Sequence, residues 1–182
     1  MSTSQSRKKE NMMKPILVIL RGNSGSGKTT IAKQIQKNFG PETMLVSQDV
    51  IRRDILHTRD KDNNSSIELI ERIALYGMER CPIVILEGIL IKERYGKMIL
   101  NLIDAFNGNA LVYYFDLSLE ETFKRHRTKG EDLEFTEHDL KKWYRAKDWL
   151  GVNHESILTC NLSKEEIEKT IITDIQELHI NI

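Results

Sequence analysis

A chain of 182 residues with 40% hydrophobic content has the length of one domain and enough apolar material to close a single core. Its 27 basic residues balance 27 acidic ones, so no chain-wide field draws in long nucleic acid or an anionic membrane, and nucleic acid as a partner is disfavoured unless a local basic cleft serves it. The two cysteines, Cys81 and Cys160, are too few and too far apart for a disulfide framework or a zinc site and are expected as reduced core thiols.

Residues 1–14 are polar, lack the apolar run of a signal peptide, and are expected as a disordered tail ahead of a single domain over residues 15–182. No later apolar run approaches the roughly 20 residues needed to span a bilayer, which points to a soluble, cytoplasmic protein without a membrane partner.

Ile16 to Leu20 is apolar and rich in β-branched residues, as a strand buried on both faces requires. The glycine-rich RGNSGSGKTT, Arg21 to Thr30, follows it directly, and then helical periodicity through Ile31, Ile35 and Phe39 until Gly40-Pro41 stops it. Gly22, Gly27, Lys28 and Thr29 satisfy GxxxxGK[ST], with chance occurrence in a chain this long under about 1%. Strand, loop and helix in this order make a cradle for the phosphates of ATP, formed by the backbone of Gly22, Asn23, Ser24, Gly25, Ser26, Gly27, Lys28, Thr29 and Thr30. Lys28 is expected to bridge the β- and γ-phosphates, and Thr29 to place its hydroxyl on Mg2+.

Met44 to Ser47 reads as a second strand, followed by a polar helix carrying Asp49, Arg52 and Arg53. A carboxylate at that carboxyl edge can take the proton of an acceptor hydroxyl as the γ-phosphoryl departs, and Arg52, one turn on, can hold the acceptor or the phosphates. Ser65 or Ser66 is expected to cap a helix reaching Glu79. Ile83 to Glu87 is a third strand, whose terminal carboxylate needs a cation, water or donor after four apolar residues; it is assigned as a magnesium ligand through water or an acceptor contact.

An amphipathic helix over Lys92 to Phe106 precedes a fourth strand, Ala110 to Asp116, with Asp116 assigned a structural role. Ser118 and Glu121 have capping-box spacing at the start of a helix that runs to His126. The basic KRHRTKG, Lys124 to Gly130, leads into a polar stretch and is read as a mobile lid around residues 124–136. Its Arg125 and Arg127 would lay guanidinium groups on the transferring phosphoryl, with Lys129 secondary and His126 a bystander. Trp143, Tyr144 and Trp149 either line an acceptor pocket or pack in the core, the core being the commoner fate of large rings. Arg145 and Lys147 are exposed candidates. Ile157 to Thr159 is a final strand, and Ser163 with Glu166 caps a closing helix to Leu178. Alternation throughout predicts an α/β protein of the P-loop NTPase class, five parallel strands covered by helices on both faces.

With this phosphate loop, the Asp49-x-x-Arg52 spacing and the basic arm, the chain resembles the small P-loop kinases of the adenylate kinase-like group. The polynucleotide kinase, zeta-toxin, chloramphenicol phosphotransferase and uridine kinase-like branches look most similar. In polynucleotide kinases an Asp-x-x-Arg unit after the second strand supplies the base and an acceptor-site arginine, and a lid with spaced basic residues precedes an LxxxY-like helix. Asp49, Arg52, Arg125, Arg127 and the run Leu140 to Tyr144 match those features, whereas the VPxxxL that follows the lid there is EFTEHDL here. The resemblance implies an ATP-dependent phosphotransferase with an alcohol acceptor and an adenine held by backbone near Cys160 to Ser163. A small-molecule hydroxyl is the leading acceptor; a 5′-hydroxyl polynucleotide kinase, a regulatory NTPase or a zeta-like toxin are the alternatives. Oligomeric state is left open, because amphipathic helices account for the apolar faces without a partner.

Overall fold

A computed structural model describes residues 14–127 and 136–180. Apart from Lys14, the predicted tail lies outside these residues, as do residues 128–135 of the predicted lid, Lys129 among them. The elements run β1 (Ile16–Gly22), α1 (Lys28–Phe39), β2 (Thr43–Ser47), a short π-helix (Val50–Ile55), α2 (Ser66–Met78) and β3 (Ile83–Gly88). They continue as α3 (Lys92–Ala105), β4 (Ala110–Asp116), α4 (Leu119–Arg127), α5 (Glu137–Trp143), β5 (Glu155–Thr159) and α6 (Lys164–Ile180).

The five strands are all parallel, in the order β2-β3-β1-β4-β5, as the apolar runs predict. β1 lies at the centre and every one of its residues is buried, so its side chains alternate between two cores. Leu17 and Ile19 pack toward α2 and α3 with Ile70, Tyr95, Ile99 and Leu102, while Ile16, Val18 and Leu20 pack toward α1 and α6 with Ile31, Ile35, Ile171 and Ile175. The central strand therefore presents its carboxyl end, and the loop that follows, from a frame held on both faces. Among the described residues no helix is long and apolar enough to cross a membrane.

Local capping departs from expectation in two places: Ser118 Oγ accepts the Glu121 N–H at 3.1 Å, but the Glu121 carboxylate holds Arg125 and leaves that capping box half made, and the start of α2 differs as well. Neither Ser65 nor Ser66 caps α2 with its side chain; Asn64 does, its Oδ1 accepting the backbone N–H of Ser66 at 3.0 Å and the Ser66 hydroxyl as well. Asn64 is itself buried and donates to the carbonyl of Lys61 at 2.7 Å, so this helix start is built on a turn that the Ser-Ser pair does not announce. By contrast Ser163 and Glu166 form both bonds of a capping box at the start of α6 (2.8 and 3.2 Å).

Candidate active site

The loop between β1 and α1 is shaped by glycines that no other residue replaces. Gly22 has φ 138°, and a Cβ there would come within 2.7 Å of the Phe115 carbonyl oxygen; Gly27, ahead of α1, has φ 98°. Lys28 is buried, its Nζ donating to the Asn23 carbonyl at 2.7 Å and the Ser26 hydroxyl at 3.0 Å. These two acceptors are neutral oxygens, and a phosphate anion attracts the ammonium more strongly than a neutral oxygen does.

Glu87, at the end of β3 and 3% exposed, is where three elements meet. Its Oε2 accepts the Thr29 hydroxyl at 3.0 Å and its Oε1 the Ser47 hydroxyl at 2.5 Å. A carboxylate and a hydroxyl side by side at the mouth of a phosphate loop are the donors that suit Mg2+, which commonly takes one or two protein oxygens and completes its shell from phosphate and water. Ser47 escaped the sequence reading. It faces Glu87 across the β2–β3 register, a pairing visible only once the strand order is known. Its neighbour Gln48 is 2% exposed, accepts the Leu90 N–H at 3.0 Å, and packs so closely on Gly88 that a Cβ there would collide with it.

Asp49 stands two residues beyond Ser47, ahead of the π-helix, with its side chain 54% exposed. Its Oδ1 accepts from Arg52 Nη2 at 2.8 Å and pairs with Arg53 Nε at 3.5 Å. Arg52 is 14% exposed, donates through Nη1 to the Thr58 carbonyl at 3.3 Å, and keeps its Nε buried without a hydrogen-bond partner among the described residues. The Asp-x-x-Arg spacing therefore becomes a contact, at the open edge of the sheet.

Of the two lid arginines, Arg125 reaches the phosphate loop: its Nη1 donates to the Ser26 carbonyl at 3.1 Å while its Nε holds Glu121 at 3.0 Å. Arg127 is 70% exposed and donates to Glu137 at 2.6 Å, joining α4 to α5 and not to the loop. A cavity of about 690 Å3 opens beside Arg125, lined by Gly25 to Gly27, Thr30, Phe115 and Cys160 to Ser163. This is the segment expected to hold adenine. Cys160 is exposed here, not a core thiol, and Cys81 is half-buried.

The aromatic cluster is not core. Trp143 is 36% and Trp149 39% exposed, and Tyr144 is half-buried with its hydroxyl on the Leu117 carbonyl at 3.0 Å. Trp143 ends α5, and Tyr144 and Trp149 sit on a strap, residues 144–151, that bonds the phosphate loop at Asn23 and the start of α3 at Lys92.

What pins that strap is Arg21, fully buried at the end of β1. Its guanidinium donates to the side chain of Asp148 at 2.7 Å, to Glu155 at 3.2 Å, to the Leu90 carbonyl at 3.0 Å and to the Asp148 carbonyl, and lies 5.2 Å from the centre of the Tyr114 ring. Asp148 also accepts the backbone N–H of Lys92 at 2.9 Å, which satisfies an open donor at the start of α3. Burial pushes the Tyr114 phenol up to about 12. In the sequence Arg21 is one polar residue after an apolar strand, with its carboxylate partners more than 120 residues away.

A family model described as an AAA domain matches residues 17–152. Over 47 residues the chain is 43% identical to a uridine kinase of Clostridium perfringens (strain SM101 / Type A), covering 25% of this chain and 23% of that protein. Among solved structures it is similar to the Mycobacterium tuberculosis APS kinase CysC in complex with AMPPNP and APS (TM-score 0.66, 17% identity, 91% of this chain and 99% of that one). A gluconokinase from Sinorhizobium meliloti gives TM-score 0.64 at 15% identity over 93% and 97% of the two chains. A shikimate kinase from Acinetobacter baumannii in complex with shikimate gives 0.59 at 18% over 91% and 95%. With residues 17–152 matched, the chain belongs to the AAA domain family, and its fold is that of the small P-loop kinases.

Proposed function

We propose that this protein is an ATP-dependent kinase that moves the γ-phosphoryl of ATP to a hydroxyl of a small molecule. The observation that carries the reading is the bond between Ser47 and Glu87, because it sets the exposed carboxylate of Asp49 two residues from the group that sits with Thr29 at the phosphate loop. A phosphate cradle alone serves any NTPase; an open base beside it serves an acceptor.

In this reading the loop amides and Lys28 hold the triphosphate, and the segment Cys160 to Ser163 holds the base. Thr29 and Glu87 hold magnesium, which when bound offsets the charge on the phosphate oxygens. Asp49 takes the acceptor proton as the acceptor oxygen bonds to the γ-phosphorus; the bond to the β–γ bridging oxygen breaks, and ADP leaves. Arg52 orients the acceptor, and Lys28 with Arg125 stabilises charge on the phosphoryl in transit. The similar kinases named for gluconate, shikimate, APS and uridine make hydroxyl-bearing metabolites and nucleosides the first acceptors to try.

The test is ADP release from Mg·ATP, alone and with a panel of nucleosides, sugar acids, shikimate, APS, antibiotics and 5′-hydroxyl oligonucleotides, with products weighed by mass spectrometry. Stimulation by one small-molecule class, with a product heavier by one phosphoryl group, is expected. Stimulation by oligonucleotides alone makes the chain a polynucleotide kinase, and steady release indifferent to every acceptor makes it an NTPase.

A further inference from the structure

Two arginines on the lid side were expected at the phosphoryl group, and the structure brings only one of them, Arg125, to the loop. A different arginine is fixed there by its backbone. The Asn23 side-chain amide donates from Nδ2 to the Arg145 carbonyl at 2.7 Å and accepts the Arg145 N–H at Oδ1 at 2.8 Å, a closed pair of bonds made by a residue 3% exposed. The carbonyl of the same Asn23 holds Lys28 Nζ at 2.7 Å. Lys28, Asn23 and Arg145 thus form one contiguous chain of contacts, with the Arg145 backbone against the second residue of the phosphate loop.

The guanidinium of Arg145 is placed differently from its backbone. It is exposed and rests through Nη1 on the carbonyls of Lys142 and Tyr144, at 3.2 and 3.1 Å, at the end of α5. Arg125 and Arg127 each hold a carboxylate, whereas among the described residues none pairs with Arg145. Neutral carbonyls release a guanidinium to a phosphate, because charge-assisted bonds are about twice as strong as neutral ones. The strap beyond it is pinned a second time, by Arg21 and the Tyr114 hydroxyl on Asp148. A rigid backbone beside the phosphates and a free cationic head are the parts of an arginine that acts in cis on phosphoryl transfer.

We infer that Arg145 is a catalytic arginine contacting the transferred phosphoryl, and that Asn23 is the positioning residue that holds it beside the loop. This rests on the kinase reading. Arg145→Ala lowers kcat at least about 100-fold, a modest share of what an arginine finger supplies, and leaves Mg·ATP affinity by fluorescent-nucleotide displacement little changed. Asn23→Ala lowers kcat by a smaller factor, and the Asn23→Ala/Arg145→Ala double variant is no slower than Arg145→Ala alone, since Asn23 acts through Arg145. Amide hydrogen exchange at Arg145 quickens in Asn23→Ala, which reads the clasp independently of turnover. Full kcat in Arg145→Ala, with the unmodified protein active, overturns the inference alone; fully additive losses in the double variant remove Asn23 from it. An unmodified protein that hydrolyses Mg·ATP to ADP and phosphate, with water as the acceptor whatever alcohol is added, overturns the kinase reading and this inference together.

Discussion

Thr29 and Glu87 are 58 residues apart in the chain and share a hydrogen bond of 3.0 Å, so the end of the phosphate loop and the end of β3 form one oxygen pair. Glu87 is buried and also accepts Ser47, and its charge is justified when a cation shares the site. Glu87→Gln keeps the size and one acceptor oxygen but removes the charge. The expected result is a half-saturating Mg2+ concentration raised about 10-fold or more, with thermal stability retained, because second partners of a metal commonly weigh this much. A magnesium titration of turnover that superimposes on that of the unmodified protein takes Glu87 out of the metal site.

The exposed Asp49 carries the chemical step if the kinase reading holds. Asp49→Asn preserves the contact to Arg52 through the amide oxygen and removes the proton acceptor, so kcat falls roughly 100-fold or more while ATP affinity stays nearly intact. Loss of ATP binding with kcat unchanged assigns Asp49 to nucleotide contact instead.

Arg125 and Arg127 separate in the same kind of experiment. Arg125 bonds the loop at Ser26, whereas Arg127 spends its charge on Glu137 at the surface. Arg125→Ala is expected to slow phosphoryl transfer about 100-fold or more, and Arg127→Ala to slow it far less, its charge being held by Glu137 at the surface. Comparable losses of kcat in both variants restore Arg127 to the site.

What the sequence made legible follows from distance along the chain. β1, β3 and β4 announce themselves because strands buried on both faces are continuous apolar runs, and the phosphate loop because its spacing is local. Asp49 and Arg52 are three residues apart, so their meeting was readable too. Ser47 on Glu87, Asn23 on Arg145 and Arg21 on Asp148 were not, because each joins elements 40 to 127 residues apart and depends on which strands are neighbours. The π-helix after β2 is likewise silent, since its turn differs from an α-helix by one residue in the bonding pattern and leaves the same residue types behind.

Alkaline pH tests the buried tyrosines. Burial is the leading cause that raises Tyr95, Tyr113 and Tyr114, the last to about 12, and Tyr113 is held further toward its neutral form by donating to Asp174 at 2.6 Å. An unfolded tyrosine loses its proton near 10, whereas these stay protonated in the fold. The stability they carry is therefore complete below pH 10 and is lost as pH rises through the folded values. The unfolding free energy from urea titrations should fall from pH 10 upward by about 1.4 kcal/mol per pH unit for each such group, and the slope should flatten in Tyr113→Phe. A midpoint flat to pH 11 contradicts the neutral, buried assignment.

Arg21 decides whether the strap is held by charge or only by packing. Its guanidinium is fully buried and answers Asp148, Glu155 and two backbone carbonyls at once, an arrangement that Lys, with a single ammonium, does not reproduce. Arg21→Met leaves two carboxylates facing an apolar gap, and removal of one partner from a buried pair costs about 3–5 kcal/mol, which is expected here as a lowered urea midpoint at pH 7. The variant that also carries Asp148→Asn and Glu155→Gln should recover part of that loss, because the unpaired charges are gone although the bonds are not. A loss under about 1 kcal/mol for Arg21→Met would show that neighbouring packing alone fixes the strap, since a cost that small is typical of exposed ion pairs and not of buried ones. No recovery in the combined variant would assign the cost to the lost carbonyl contacts at Leu90 and Asp148.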